Sequence, residues 1–191
     1  MDQIVIIDND ADRIERVLRG DSNAFRELVN RHKDYAFTLA YRILNSREDA
    51  EEAAQDAFVR AYNGLAMFNR DAKFTTWFYR IVVNCALTVQ QRRKKQTEDI
   101  DDAKLLRGAT DASDNLKHKE QKYYIQKALK LLSPDDVTMI TLFYLKENSL
   151  EEISETVGIE TNTVKVKLHR ARKRLADVMQ HLLKGEVKSL L

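Results

Sequence analysis

The sequence predicts an all-α protein made of two small helical domains joined by a flexible linker. The chain has 191 residues but only five glycines and one proline, and runs of alternating apolar and polar residues are scarce. Apolar side chains instead recur three and four residues apart, which is the spacing of one face of a helix. An acidic stretch without this period separates two helical halves, so we expect it to be the linker.

The boundaries follow from these shifts in pattern. We expect a loosely packed tail and a short helix in residues 1–20, a first domain in 21–95, a linker in 96–118 and a C-terminal domain in 119–185. Residues 97–114 hold six acids and two bases, a local charge of −4, while the whole chain carries +2. Basic stretches flank this segment. The small net charge therefore understates the local positive charge, which favours binding to a polyanion such as a nucleic acid.

Composition argues against several classes of protein. The single cysteine, Cys85, cannot form an intramolecular disulfide, and we expect it to be a small buried residue. No Cys/His cluster, nucleophile–base pair or phosphate-binding glycine loop is apparent, so we expect no metal, no cofactor and no enzymatic activity. Without a signal peptide or a long apolar run, we expect a cytoplasmic protein with no membrane insertion.

The first domain should contain two long helices in succession. A stripe from Phe25 to Ile43 predicts an amphipathic helix, and His32 on that stripe is better explained by packing than by ligand binding. After Asn45 and Ser46, a second helix carries alanines on one side, which allow close packing. The acids in its first half suit the positive end of the helix dipole, but they could equally dock a basic partner; they are Glu48, Asp49, Glu51, Glu52 and Asp56.

A dense aromatic segment follows, in residues 74–84, and its helix ends in the basic residues 92–95. Aromatic rings stack on unpaired bases while Lys and Arg contact phosphates, so this composition suits single-stranded nucleic acid. The helical spacing of Trp77, Phe78 and Ile81 also fits a plain core, and that reading stays open for Trp77.

The C-terminal domain should begin with a helix through Ile125 to Leu132, followed by a second helix that starts at Ser133 and Pro134. We expect four side chains of this second helix to face inward; they are Val137, Ile140, Tyr144 and Leu145.

A capping box, Ser149 with Glu152, then opens a short helix that Gly158 ends. The next segment, residues 161–174, carries six Lys or Arg residues and no acid. Its apolar stripe, Val164, Leu168 and Ala171, has the spacing of one helix face. Helix, glycine turn and basic helix form the helix-turn-helix pattern, whose second helix enters the major groove of DNA. The plainer alternative is two core helices with a solvated basic face.

Taken together, three segments resemble the bacterial RNA polymerase sigma factors of the extracytoplasmic-function type. Residues 49–58 resemble the family's polymerase-binding helix, residues 74–81 with Asn84 resemble its −10 recognition segment, and residues 163–172 resemble its −35 recognition helix. The likeness spans about residues 20–183, in the family's order.

The resemblance implies a sigma factor that binds core RNA polymerase, recognises duplex −35 DNA and single-stranded −10 DNA, and aids melting. The implied −35 residues are Thr163, Lys165, Val166, Lys167, His169, Arg170 and Lys173. The implied −10 residues are Asn69, Lys73, Thr75, Trp77, Arg80, Asn84, Arg92 and Arg93. The implied polymerase-binding residues are Asp49, Glu52, Gln55 and Asp56. An anti-sigma partner is expected by analogy only.

Several positions depart from the family pattern, among them Asn162 and Lys167, which stand where Gly and Arg are common. Val166 replaces a common hydrogen-bonding residue, Phe143 stands where many members carry a DNA-contacting Arg, and Thr88 stands where an Asp is common. The promoter sequence therefore cannot be transferred from relatives. The alternative function is a helix-turn-helix regulator that binds duplex DNA without polymerase.

Overall fold

The computed structural model describes residues 9–97, 116–145 and 147–189. Within these residues the chain is all-α, as predicted, with no strand. The helices are α1 (Asn9–Leu18), α2 (Ser22–Leu44), α3 (Arg47–Gly64), α4 (Phe74–Thr97), α5 (Leu116–Lys130), α6 (Pro134–Leu145), α7 (Leu150–Val157) and α8 (Thr161–Ser189), with a 3₁₀ turn at Leu65–Met67. Residues 1–8 and most of the predicted linker lie outside the described residues.

Helices α2, α3 and α4 form the first bundle, and α1 packs on α2. Local chemistry sets where the helices begin: the Asp21 carboxylate accepts from the backbone N–H of Asn23 and Ala24, and Ser46 Oγ accepts from Asp49 N–H. The alanine side of α3 is buried, as predicted, which lets α2 and α4 approach closely; its members are Ala50, Ala53, Ala54, Ala57 and Ala61.

A buried ion pair fixes α1 to this bundle. Asp10 Oδ2 lies 2.9 Å from His32 Nε2, and both side chains are at most 5% exposed. Arg31 Nε lies 3.4 Å from the other oxygen of Asp10. Burial raises the pKa of Asp10, but the hydrogen bond and charge of His32 and the charge of Arg31 outweigh it and lower the pKa overall. A helix is present at Asn9–Leu18, where a short one was predicted; it begins two residues earlier than expected, and Asp10, which was assigned to the loosely packed tail, is anchored.

The second bundle places α5, α6 and α7 against α8. The predicted capping box is present in both directions: Ser149 Oγ accepts from Glu152 N–H at 3.2 Å, and Glu152 Oε2 accepts from Ser149 N–H at 3.0 Å. Gly158 ends α7 with φ +71°, a left-handed conformation that glycine adopts without strain. The turn between α7 and α8 thus forms as the sequence indicates.

One prediction for α6 was wrong. Val137 and Ile140 are buried, but Tyr144 is 58% exposed and Leu145 is 39% exposed. Tyr144 and Leu145 are the last two residues of α6, whereas the buried residues of this helix lie between Asp136 and Leu142. The Arg172 guanidinium of α8 lies over the Tyr144 ring instead of a further apolar layer.

The two bundles contact each other, with α4 packed against α7 and α2 against α6. Lys73 Nζ, just before α4, lies 2.6 Å from Glu152 Oε1 in the first turn of α7. A Cβ atom placed at Gly158 would lie 3.1 Å from Nη2 of Arg80. The turn of the helix-turn-helix therefore lies close to Arg80 of α4.

Candidate nucleic-acid interface

The outward face of α8 is open to solvent. Its core side chains, Val164, Leu168 and Ala171, are at most 3% exposed. The predicted −35 residues that are exposed are Thr163, Lys165, Val166, His169, Arg170 and Lys173. Lys167 is half-buried, and its Nζ lies 3.3 Å from Asp135 Oδ2 of α6. Six of the seven candidates thus lie where a major groove could reach them, and the seventh is partly neutralised.

The structure shows the contacts of Phe143 and Thr88, two of the residues that depart from the family pattern. Phe143 is half-buried, and the Arg172 guanidinium lies 4.5 Å above its ring centroid. A cation from α8 therefore stands over the α6 position where an arginine is often found. Thr88 Oγ donates to the backbone carbonyl of Asn84 at 2.8 Å, a bond within the helix that leaves the Asn84 side chain exposed.

The aromatic segment at the start of α4 divides into core and surface. Phe74 and Phe78 are buried, whereas Trp77 is half-buried, with its ring centroid 5.1 Å from that of Phe68. Thr75 is also half-buried. The remaining −10 candidates are exposed; they are Asn69, Lys73, Arg80, Asn84, Arg92 and Arg93.

The polar side chains of the loop before α4 have partners that the sequence did not reveal. Arg70, which has φ +63°, lies with Nη1 3.0 Å from Glu15 Oε1 of α1. Lys73 pairs with Glu152, and that pairing, together with the capping bond from Ser149 N–H, lowers the pKa of Glu152 below its usual value although burial acts to raise it. The loop cations thus meet carboxylates of this chain at positions where they could meet phosphates.

The acidic face of α3 is also exposed, at Glu52, Gln55 and Asp56. Asp49 differs, because it is half-buried and its Oδ2 lies 2.7 Å from Arg93 Nη1 near the end of α4. The structure therefore brings a predicted polymerase-binding residue together with a predicted −10 residue. These two assignments cannot be tested separately by changing Asp49.

The cysteine and the possible metal ligands of the described residues do not indicate a second site. Burial raises the pKa of the Cys85 thiol, and the residue is 2% exposed, as expected of a small core side chain. In the described part of the chain, no three His, Cys, Asp or Glu side chains lie close enough to hold a metal ion. None of its described helices combines the length and apolarity that crossing a membrane requires.

Comparison with known proteins decides the family. Residues 28–97 match the family Sigma-70 region 2, and residues 122–175 match Sigma-70, region 4. The chain is 36% identical over 182 residues to the ECF RNA polymerase sigma factor SigW of Bacillus subtilis, covering 89% of this chain and 96% of that protein. This protein belongs to the sigma-70 family, in its extracytoplasmic-function group. Another relative is the ECF RNA polymerase sigma-E factor of Escherichia coli, 31% identical over 90% of this chain and 94% of that protein.

Solved sigma-factor structures share the fold. CnrH, in complex with the cytosolic domain of CnrY, matches with a TM-score of 0.68 at 21% identity, over 90% of this chain and 97% of that one. RpoE of Bartonella quintana, in complex with the anti-sigma factor NepR, matches with a TM-score of 0.66 at 21% identity, over 82% of this chain and 96% of that one. As a sigma factor, this protein directs promoter-specific transcription initiation, and a regulator acting without polymerase is not favoured.

Proposed function

We propose that the sigma-factor activity is divided among three surfaces of this chain, and that the exposed cationic face of α8 reads the duplex −35 element. The single observation that carries the proposal is this acid-free face on the second helix of a helix-turn-helix. Lys165, His169 and Arg170 reach bases or phosphates, while Val166 contacts a thymine methyl group rather than donating a hydrogen bond.

The loop at residues 68–73 and the exposed side of α4 hold the unpaired −10 strand. Extracting a base from the duplex costs a few kcal/mol, which contacts in the protein must offset. Trp77 and Phe68 offer a partly open aromatic surface for stacking, and Lys73, Arg80 and Asn84 offer cationic and polar contacts beside it.

The exposed acids of α3 bind core RNA polymerase. Glu52, Gln55 and Asp56 form an outward patch whose opposite side is the buried alanine stripe, so a partner could dock there without disturbing the core. The polymerase carries out the chemistry, so this chain acts as a non-catalytic subunit. We place it in the cytoplasm with the polymerase, and we expect an anti-sigma protein to hold it inactive.

In vitro transcription with core RNA polymerase and a pool of genomic fragments tests the activity and selects a promoter. Lys165→Ala with Arg170→Ala should then weaken promoter binding by about 1–3 kcal/mol and flatten its salt dependence. Unchanged promoter activity would remove α8 from DNA recognition.

Charge reversal tests polymerase docking separately. Glu52→Lys with Asp56→Lys should impair competition for core enzyme without unfolding the chain, because both side chains are exposed. Asp177→Lys, an exposed reversal on α8, is the matched control. If the double variant competes as well as the control, the docking surface lies elsewhere.

A further inference from the structure

The two flanks of α8 differ in how their cations are paired. On one flank, Lys167 and Arg174 lie seven residues apart and face acids at the start of α6. Arg174 Nη1 lies 2.6 Å from Asp136 Oδ2, and Lys167 Nζ lies 3.3 Å from Asp135 Oδ2. This flank is therefore charge-compensated within the protein.

The opposite flank carries Lys165 and Arg172, again seven residues apart, with His169 between them. Among the described residues, the ion pairs of α8 within 4.0 Å are those of the first flank alone. Lys165 and Arg172 are both exposed. The cations of this flank are therefore not compensated by an acid of the described chain, unlike those of the first flank.

Arg172 is nevertheless held in place, by aromatic rings rather than by an acid. Its Cζ lies 4.5 Å from the ring centroid of Phe143 and 5.3 Å from that of Tyr144. The two rings meet edge to face at 5.0 Å at the end of α6. A guanidinium that stacks on a ring uses its flat face and keeps its in-plane N–H groups free, so less entropy is lost when they bind an anion.

We propose that Arg172, oriented by Phe143 and Tyr144, is a further DNA contact of this protein and donates to a backbone phosphate beside the −35 major groove. A phosphate is the expected acceptor because Arg172 lies on the edge of α8, next to buried Ala171, whereas Val166 and Lys173 lie on the outermost ridge. When the ridge enters the groove, the edge faces a bordering strand. This inference rests on the proposed role of α8.

The test uses the holoenzyme, reconstituted with core polymerase, on the promoter selected from the fragment pool. Binding is measured against salt concentration for Arg172→Met, which keeps an aliphatic chain against the rings but removes the charge. We expect a 3- to 10-fold loss of affinity and a salt slope smaller by about 1, the change for one lost phosphate contact. The loss should be similar on promoters with altered −35 bases, because a phosphate contact carries no sequence information.

Two further variants separate charge from orientation. Arg172→Lys should recover the salt slope but only part of the affinity, since an ammonium lacks the planar fork. Phe143→Ala with Tyr144→Ala should weaken binding 2- to 5-fold while Arg172 remains. The matched control is Lys127→Met, which removes a cation that lies 5.4 Å from the Tyr123 ring centroid on α5, outside the helix-turn-helix; it should behave as wild type.

The outcomes discriminate between the two proposals. If Arg172→Met keeps the wild-type salt slope, Arg172 serves only to cover the rings, and the inference is overturned. That result leaves the proposed function intact if Lys165→Ala with Arg170→Ala still weakens binding. If this double variant also binds as wild type, the role of α8 fails as well. Thermal unfolding of each variant identifies any loss that comes from misfolding.

Discussion

Lys73 and Glu152 are 79 positions apart in the chain, yet their side chains form an ion pair with 2.6 Å between Nζ and Oε1. Lys73 belongs to the loop proposed to bind the −10 strand, and Glu152 belongs to the capping box of the helix-turn-helix. This ion pair therefore joins the two proposed DNA-binding regions, in addition to the packing of α4 against α7. A phosphate that binds Lys73 must displace a carboxylate of the same chain.

Glu152→Gln should loosen the contact between the two bundles while keeping the helix cap, because glutamine also serves at this position of a capping box. Lys73 is 70% exposed, so we expect less than about 1 kcal/mol from the ion pair. Spin labels at residues 63 and 181, in a Cys85→Ala background, should report a broader distance distribution. Glu151→Gln, an exposed neighbour, is the control; equal distributions for the two variants would contradict the prediction.

The same pair predicts a pH dependence. Because Lys73 lowers the pKa of Glu152 from its ordinary 4.5, the stabilisation is fully present above 4.5 and is lost as pH falls through the lowered value. The contact should thus be constant between pH 7 and 5 and weaken only below that range. Carboxyl NMR of Glu152 measures the pKa directly. Lys73→Met should raise it and Lys127→Met should not; the same Glu152 titration in both variants would refute the assignment.

Arg174→Ala should destabilise the C-terminal bundle more than Lys167→Ala. Asp136 is 7% exposed and receives Arg174 on both oxygens, whereas Asp135 is 67% exposed. Losing a charge-assisted partner from a buried carboxylate costs about 1–3 kcal/mol, and a surface pair is worth about 0–1 kcal/mol. Chemical denaturation of both variants checks the order. Equal losses would mean that Ser133, which donates to Asp136 at 2.8 Å, suffices to satisfy that carboxylate.

Asp10→Asn should release α1 from the first bundle. The buried carboxylate contacts His32 at 2.9 Å and Arg31 at 3.4 Å, and weakening the contacts of a buried polar group costs about 1–3 kcal/mol. Hydrogen exchange of the α1 amides should accelerate strongly, with a smaller effect in α3. Asp12→Asn changes an exposed acid of the same helix and should leave exchange unaltered. Retained protection of α1 in Asp10→Asn would show that Ile14 packing and the surface ion pairs of Arg13 and Arg16 with Glu27 suffice to hold the helix.

Local chemistry explains why so much of the fold could be predicted from the sequence. Asp21, Ser46 and Ser149 satisfy backbone groups within three residues, so their caps can be identified without knowing any neighbour. The buried faces of α3 and α8 could also be predicted locally, from the helical spacing of their apolar residues. The exposure of the candidate −35 face was largely predictable, because the apolar stripe of α8 must be buried and its Lys and Arg residues must then face solvent.

Contacts between distant segments could not be predicted. The pairs Lys73–Glu152, Arg93–Asp49 and Arg70–Glu15 join residues 44 to 79 positions apart, and no spacing rule relates them. The exposure of Tyr144 was missed because the helical period gives a direction but does not say where the neighbouring helix stops. Arg172 was left out of the predicted site for a related reason, since its aromatic support lies on another helix.

The alanine stripe of α3 limits which residues of this helix can be substituted. Its five members are at most 7% exposed, so a larger side chain there would push neighbouring helices apart. The opposite side of the same helix carries exposed polar residues, Glu52, Gln55 and Asp56, whose replacement leaves the stripe unchanged. A library built on that outer side alone, with the stripe held fixed, would vary the proposed polymerase-docking residues while preserving the packing of α3 against α2 and α4.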